Sequence, residues 1–231
     1  MTIRVILVEP EKEGNIGSVA RVMSNFDLDD LWIVNPKVPI DGEARAYAMH
    51  GQNVLTTAKT VRTLDLALEG VDLAVGTSAV VARSTSNLLR LAITPKDMAK
   101  KARATKKGCI AIVFGRESSG LSNQETENCD FLVTIPASHE YNVLNLASAA
   151  SIIFYELFQT KAFTGVELAS RDSKKRLLAE FDRLARMSET PLHRRKLAQR
   201  SFSNIISRSF ISSREASLLI GVFRRALSKA K

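Results

Sequence analysis

The chain has 231 residues, room for one large domain or a domain with a small appendage, and 45% of them are apolar, as in a globular protein with a real core. No apolar run reaches the length of a membrane span, and the N-terminal MTIRVILVEP lacks a signal-peptide layout, so a cytoplasmic protein without membrane partners is expected. The net charge of +9 is unevenly spread: residues 171–231 carry 16 Lys and Arg against 5 Asp and Glu, leaving 17 against 19 for residues 1–170. A basic quarter on a nearly neutral body points to a polyanion-binding appendage, with nucleic acid as the polyanion.

In chain order, Ile3 to Val8 reads as a buried strand ending at Glu9-Pro10, followed by the polar turn EKEGN and a helix from about Ile16 to Phe26. Leu31 to Val34 is a second strand. Ala44 to Leu55 is helical but interrupted at His50-Gly51, and Val61 with Leu64 to Leu68 suggests a short strand or turn and a short helix. Leu73 to Val75 is a strand running into Gly76-Thr77-Ser78. Thr94-Pro95 should cap a helix reaching about Thr105. Ile110 to Phe114 is a strongly apolar strand, Asn123 to Asn128 a short helix, and Phe131 to Ile135 a last strand, broken at Pro136. A polar loop then leads to a helix rich in small residues, Ala147 to Ser151.

Strands that are continuous apolar runs, alternating with helices, predict an α/β fold: a largely parallel sheet covered on both faces. Three strands end in polar, glycine-containing or proline-containing loops, GTSA, FGRESSG and IPASHEYN. Ligands of open parallel sheets bind beyond the carboxyl ends of strands, so these loops are expected to meet at one site. After Gly165 the pattern changes to three amphipathic helices: Arg171 to Met187, a second from Thr190-Pro191 to about Ser207, and a third opened by the capping box Ser212-Ser213-Arg214-Glu215. Such a bundle is marginal alone and should either pack on the body or be tethered to it. The domain division expected is 1–160, a linker at 161–170, and a basic three-helix extension at 171–231.

No GxGxxG follows the first strand and no GxxxxGK[ST] occurs, so the usual dinucleotide and P-loop sites are absent. Cys109 and Cys129 have no CxxC partner or paired His; no metal site is expected, and each reads as a buried, reduced thiol. Asn15-Ile16-Gly17 at a helix entrance with Arg21 one turn on is a distinctive group. Asn15 can serve as N-cap, and Arg21 offers a planar, permanently charged fork suited to phosphate or to a surface ion pair. Glu117 reads equally as a site carboxylate or a solvated one, and Asn142 and Asn145 as polar site residues or as caps of the last catalytic-domain helix.

Taken in order, EGNIGSVARVMSNFDLDDLWIVNP, VFGRESSGLSNQE and IPASHEYNVLNLASAASIIFYE resemble the three motifs of the SpoU-type SPOUT RNA 2′-O-methyltransferases, most closely the TrmJ group that modifies tRNA ribose at nucleotide 32. The likeness covers about residues 1–160, and the basic tail is similar to that group's C-terminal extension. It implies a C-terminal trefoil knot in the catalytic domain and a homodimer with each site completed across the interface. It also implies S-adenosyl-L-methionine held by Thr77, Ser78 and Ala79; by Gly115, Arg116 and Glu117; by Ile135 and Pro136; and by Asn142, Val143, Leu144 and Ala147. Asn15, Arg21, Glu117 and Asn145 fall on the family's characteristic polar positions. The implied reaction is methyl transfer to a ribose 2′-OH of tRNA, with Arg21 holding phosphate and steadying the developing alkoxide, and with Asn145 and Asn15 orienting it. Another RNA such as rRNA, or RNA binding without catalysis, are the alternatives. Asn142-Val143 stands where many relatives have Ser-Ser, which leaves the choice between cytidine and uridine open.

Overall fold

The computed structural model describes residues 1–79, 92–103, 108–159, 167–187, 191–209 and 211–229. Seven strands among the described residues build one sheet in which every pairing is parallel. They are β1 (Thr2–Val8), β2 (Asp30–Val34), β3 (Lys59–Val61), β4 (Leu73–Thr77), β5 (Ala92–Ile93), β6 (Cys109–Phe114) and β7 (Phe131–Val133). Their spatial order is β3-β2-β1-β6-β4-β7-β5, so β1 and β6 pair at the centre although more than a hundred residues separate them. The apolar runs are continuous because both faces are covered. Ile3, Val5 and Leu7 of β1 join one core cluster, and Ile6 and Val8 join the other.

The first face is covered by α1 (Glu13–Asn25), α2 (Gly42–Ala48), α3 (Gln52–Thr56), α5 (Pro95–Arg103) and α7 (Leu146–Gln159), which bury Ile16, Met23, Met98, Ile153 and Phe154. The second carries α4 (Leu64–Ala67), and α6 (Asn123–Glu127) leads into β7. Backbone fixes α1 from two sides: a Cβ on Gly17 would stand 2.0 Å from the Ala44 carbonyl oxygen, and one on Gly51 2.6 Å from that of Ala20. The 44–55 helix is broken where expected, by a 3-10 turn at Met49–Gly51. Thr94 caps α5, its hydroxyl accepting from the Asp97 N–H at 3.2 Å; the expected end near Thr105 lies outside the described residues.

Two sequence expectations change. Helix α1 begins at Glu13, so Lys12 takes the N-cap position without a side-chain cap and Asn15 lies inside the first turn. Glu13 puts a carboxylate at the positive end of the helix, which favours the earlier start and leaves the Asn15 amide free for another partner. Strand β5 has only two residues, too few for any periodicity to reveal it. The path of the expected knot involves residues outside the described ones.

Helices α8 (Arg171–Met187), α9 (Leu192–Ser209) and α10 (Ser213–Lys229) form a separate small core around Leu177, Ile206, Ile211 and Ala216, with Phe181 stacked on Phe202 at 4.1 Å between ring centroids. The Thr190 cap of α9 lies outside the described residues. The capping box of α10 is formed: Ser212 N–H donates to Glu215 at 2.7 Å and Glu215 N–H to the Ser212 hydroxyl at 3.2 Å. Part of the segment expected to be a linker is packed instead. Leu168 is buried and bridges Ser212, and the Ala169 N–H donates to the Ile211 carbonyl at 2.9 Å. A buried lysine pins this unit to the body. Lys174, 5% exposed, donates to the Asp72 carbonyl at 2.9 Å and pairs with Asp130 at 3.5 Å, while Arg171 donates to the Asn128 carbonyl at 2.9 Å. Asp72 and Asp130 precede β4 and β7, so the extension docks at the amino ends of these strands.

Candidate active site

At the opposite, carboxyl ends of β4, β6 and β7 the chain encloses a cleft of about 360 Å³. One wall is Thr77, Ser78 and Ala79 after β4. A second is Gly115 to Leu121 after β6. The third is Ile135 with Asn142, Val143 and Leu144 after β7. Asn142 closes the first wall onto the third, its Nδ2 donating to the Ala79 carbonyl at 2.8 Å. Ten of the expected cofactor positions therefore meet in one place. Pro136 and Ala147 do not line it: Pro136 is exposed, and Ala147 packs against the core. Ala149 and Ile153 line the cleft instead, one and two turns beyond Asn145 on the same stripe of α7. That four-residue spacing was in the sequence and could have found them.

The loop after β6 is a tight hairpin: the Arg116 N–H donates to the Gly120 carbonyl at 3.1 Å and the Gly120 N–H returns to Arg116 at 2.8 Å. Gly120 has φ 68°, and a Cβ on Gly115 would stand 2.1 Å from the Gly120 carbonyl carbon, so both positions require glycine. The Arg116 side chain turns outward and acts as a pin. Its Nε donates to Glu9 at 3.1 Å, and its two terminal nitrogens form a bidentate pair with Glu125 at 2.9 Å each. Hydrogen bonds from Asn35 and Lys37, with Arg116 beside it, hold the Glu9 carboxyl down at about 2. Arg116 and Ser122 hold Glu125 low, and both carboxylates raise Arg116. The neighbouring Glu11 accepts from the Ser118 hydroxyl at 2.7 Å and its N–H at 2.9 Å, which lowers its pKa as well.

The three motifs are joined by a hydrogen-bonded relay. Asn15 Nδ2 donates to Glu117 Oε1 at 2.8 Å, and Asn145 Nδ2 donates to Asn15 Oδ1 at 3.0 Å. The far ends are tied to backbone: the Glu11 N–H donates to Glu117 Oε2 at 2.8 Å, and the Ala147 N–H donates to Asn145 Oδ1 at 2.9 Å, which makes Asn145 also a cap of α7. Arg21 is not part of this relay. It is exposed on α1 and has no ion pair among the described residues. The cysteines lie apart: burial raises both thiols, Cys129 to about 12.

Arg116→Ala is expected to raise the KM for a small-molecule ligand of this cleft about tenfold while changing kcat less, because it loosens one cleft wall while the Glu11 N–H still holds Glu117 in the relay. Calorimetric titration beside steady-state kinetics checks the split. The clasp also sets an acid limit. Glu9 ionises in the fold near 2 against an ordinary 4.5, so its stabilising contribution is complete above 4.5 and is lost as the pH falls towards 2. Glu9→Gln should flatten the melting temperature over that interval.

A parallel α/β sheet with a ligand cleft walled by three strand-end loops, and with polar side chains of three separate motifs joined beside it, is the architecture of a SpoU-type methylase. The SpoU rRNA Methylase family profile matches residues 2–155. The chain is similar to the tRNA (cytidine-2′-O-)-methyltransferase TrmJ of Methanocaldococcus jannaschii, 40% identical over 228 residues, which is 96% of this chain and 98% of that one. It is also similar to the tRNA (cytidine/uridine-2′-O-)-methyltransferase TrmJ of Pectobacterium atrosepticum, 43% identical over 156 residues, 67% of this chain and 63% of that one. In fold it matches the crystal structure of TrmJ from Z. mobilis ZM4 with a TM-score of 0.72, 24% identity, and coverage of 98% and 99% of the two chains. The chain belongs to the SpoU rRNA Methylase family and, within it, to the TrmJ group. No helix among the described residues is long and apolar enough to cross a membrane.

Proposed function

We propose that this protein transfers a methyl group from S-adenosyl-L-methionine to a ribose 2′-OH of tRNA, at nucleotide 32 of the anticodon loop. The observation that carries the reading is the Glu117–Asn15–Asn145 relay beside a cleft built from three strand-end loops. The family profile is named for rRNA, but the 40% identity to a tRNA enzyme runs through the basic extension as well as the catalytic part, and that favours tRNA.

The cleft suits the cofactor. Apolar Leu121, Ile135, Val143 and Leu144 offer a slot for a flat ring, and the hairpin at Gly115 brings main-chain groups close in the way an adenosine and an amino-acid tail need. The bound cofactor supplies an electrophilic methyl group on a sulfonium. The chain's own residues do the rest by positioning and electrostatics. Both Glu117 oxygens are occupied, so Glu117 orients Asn15, and through it Asn145, towards the ribose. Arg21 holds the adjoining phosphate and stabilises the alkoxide as the 2′-OH loses its proton to water; a guanidinium is too weak an acid to serve as base. Arg21 is not tied to the relay of its own chain, and Ile152, Tyr155 and Phe158 leave an apolar stripe of α7 exposed. Both features support a homodimer in which Arg21 serves the partner's cleft, with the catalytic part knotted as in its family. The extension, residues 171–231, grips tRNA.

Incubating the protein with labelled cofactor and total RNA, then digesting to nucleosides for mass spectrometry, tests this. A 2′-O-methylated pyrimidine from tRNA is expected. Label confined to rRNA would overturn the substrate, and tight RNA binding with no transfer would overturn the activity.

A further inference from the structure

A second groove, of about 1130 Å³, runs between α9 and the α6–β7 segment. We propose that this groove is the track for the RNA phosphodiester backbone, and that α9, not α8 or α10, is the RNA-reading helix of the extension. The proposal rests on the tRNA reading above and names the surface that carries it.

Several cations of the extension are already engaged within the fold. On α8, Lys174 and Arg171 are used to dock the unit on the body. Arg183 pairs with Glu180, and Arg186 with Asp182, along the same helix. Arg224 of α10 closes on Glu180 as well, at 2.9 Å. Helix α9 differs. Leu192–Ser209 contains Arg194, Arg195, Lys196, Arg200 and Arg208 and no Asp or Glu, and none of the five forms an ion pair among the described residues. Cations left without carboxylates keep their full attraction for a polyanion, and each phosphate they neutralise releases condensed counterions.

The shape agrees with the charge. Lys196 and Arg200, one turn apart, line the same wall of the groove, with His193 one turn before them and the hydroxyl of Ser203 next to them. The opposite wall carries the Asn123 side chain, a group that contacts sugar and phosphate without demanding a base. Two carboxylates also line the groove. Asp130 is already held by Lys174, and Glu127 faces from the α6 side, which leaves the phosphates on the α9 side. Thr126 lines both this groove and the cleft, so α6 is the wall the two share.

The test uses the full chain, an unmodified tRNA transcript carrying a fluorophore, and anisotropy at several salt concentrations. The variant Lys196→Ala/Arg200→Ala is compared with Arg214→Ala/Arg225→Ala, two exposed cations of α10. The α9 pair is expected to weaken tRNA binding about tenfold or more and to lower the slope of log affinity against log salt by about two, the α10 pair to change either little. KM for tRNA should rise with kcat at saturating tRNA preserved. Equal losses from both pairs would mean diffuse attraction and would overturn the groove. So would unchanged affinity in the α9 pair while the wild-type protein methylates tRNA. Absence of transfer by the wild-type protein is a failure of the functional reading alone, because the binding measurement does not depend on turnover.

Discussion

Arg21→Ala is expected to lower kcat/KM for tRNA by about 10²–10³-fold, the loss seen when one preorganised charge-stabilising group is removed, while cofactor affinity stays nearly unchanged. The two quantities separate because the cleft is made by the loops after β4, β6 and β7, and Arg21 is on α1 and outside their hydrogen bonds. Stopped-flow or discontinuous methyl-transfer assays with calorimetric cofactor binding give both numbers; turnover within a few-fold of wild type would remove Arg21 from the mechanism. A mixing experiment then tells in which cleft Arg21 acts. Arg21→Ala is co-expressed with Gly115→Ala, whose added Cβ cannot fit beside Gly120 and should spoil the cofactor loop. If Arg21 crosses a two-fold interface, mixed dimers contain one intact site, and a random mixture recovers about a quarter of wild-type activity. If it serves its own chain's cleft, the mixture stays inactive.

Lys174→Ala is expected to cost about 3 kcal/mol of stability, since it strands the largely buried carboxylate of Asp130 at the seam between the extension and the sheet. For a chain of this size that is a drop in melting temperature of about 10 °C. Asp130 also accepts from the Ala74 N–H at 2.7 Å, a bond that an asparagine oxygen can keep. Lys174→Met combined with Asp130→Asn should therefore recover most but not all of the loss, because no buried charge remains and only the Asp72 carbonyl loses its donor. Calorimetric melting of the two variants checks this; a double variant no better than the single one would show that Lys174 acts through packing.

How far the sequence spoke for itself differs from place to place. The apolar runs of β1, β4 and β6 announced a sheet buried on both faces, and their polar ends announced the cleft, because both are local patterns of few residues. The capping box of α10 and the Thr94 cap were legible for the same reason. The relay was legible only in part. Asn15, Glu117 and Asn145 were singled out, but spacing placed Asn15 at a helix cap, and its bond to a residue 102 positions away is a product of the parallel topology. The Arg116 pin was hidden likewise: its partners Glu9 and Glu125 lie on either side of it in sequence, and nothing local joins them. Lys174 was the least visible. A lysine in an amphipathic helix reads as solvated, and only the carboxylate and carbonyl that meet it explain its burial.

The strand order has a kinetic meaning too. Strand β1 can pair with β2 early, but its other neighbour is β6, with Thr2 opposite Cys109. At about 5–20 residues per second, that partner is synthesised roughly 5–20 s later. The nascent chain meanwhile carries an apolar strand with one open edge, and the contact between Asn15 and Asn145 comes later still. The relay thus closes only after the chain has run 130 residues beyond Asn15.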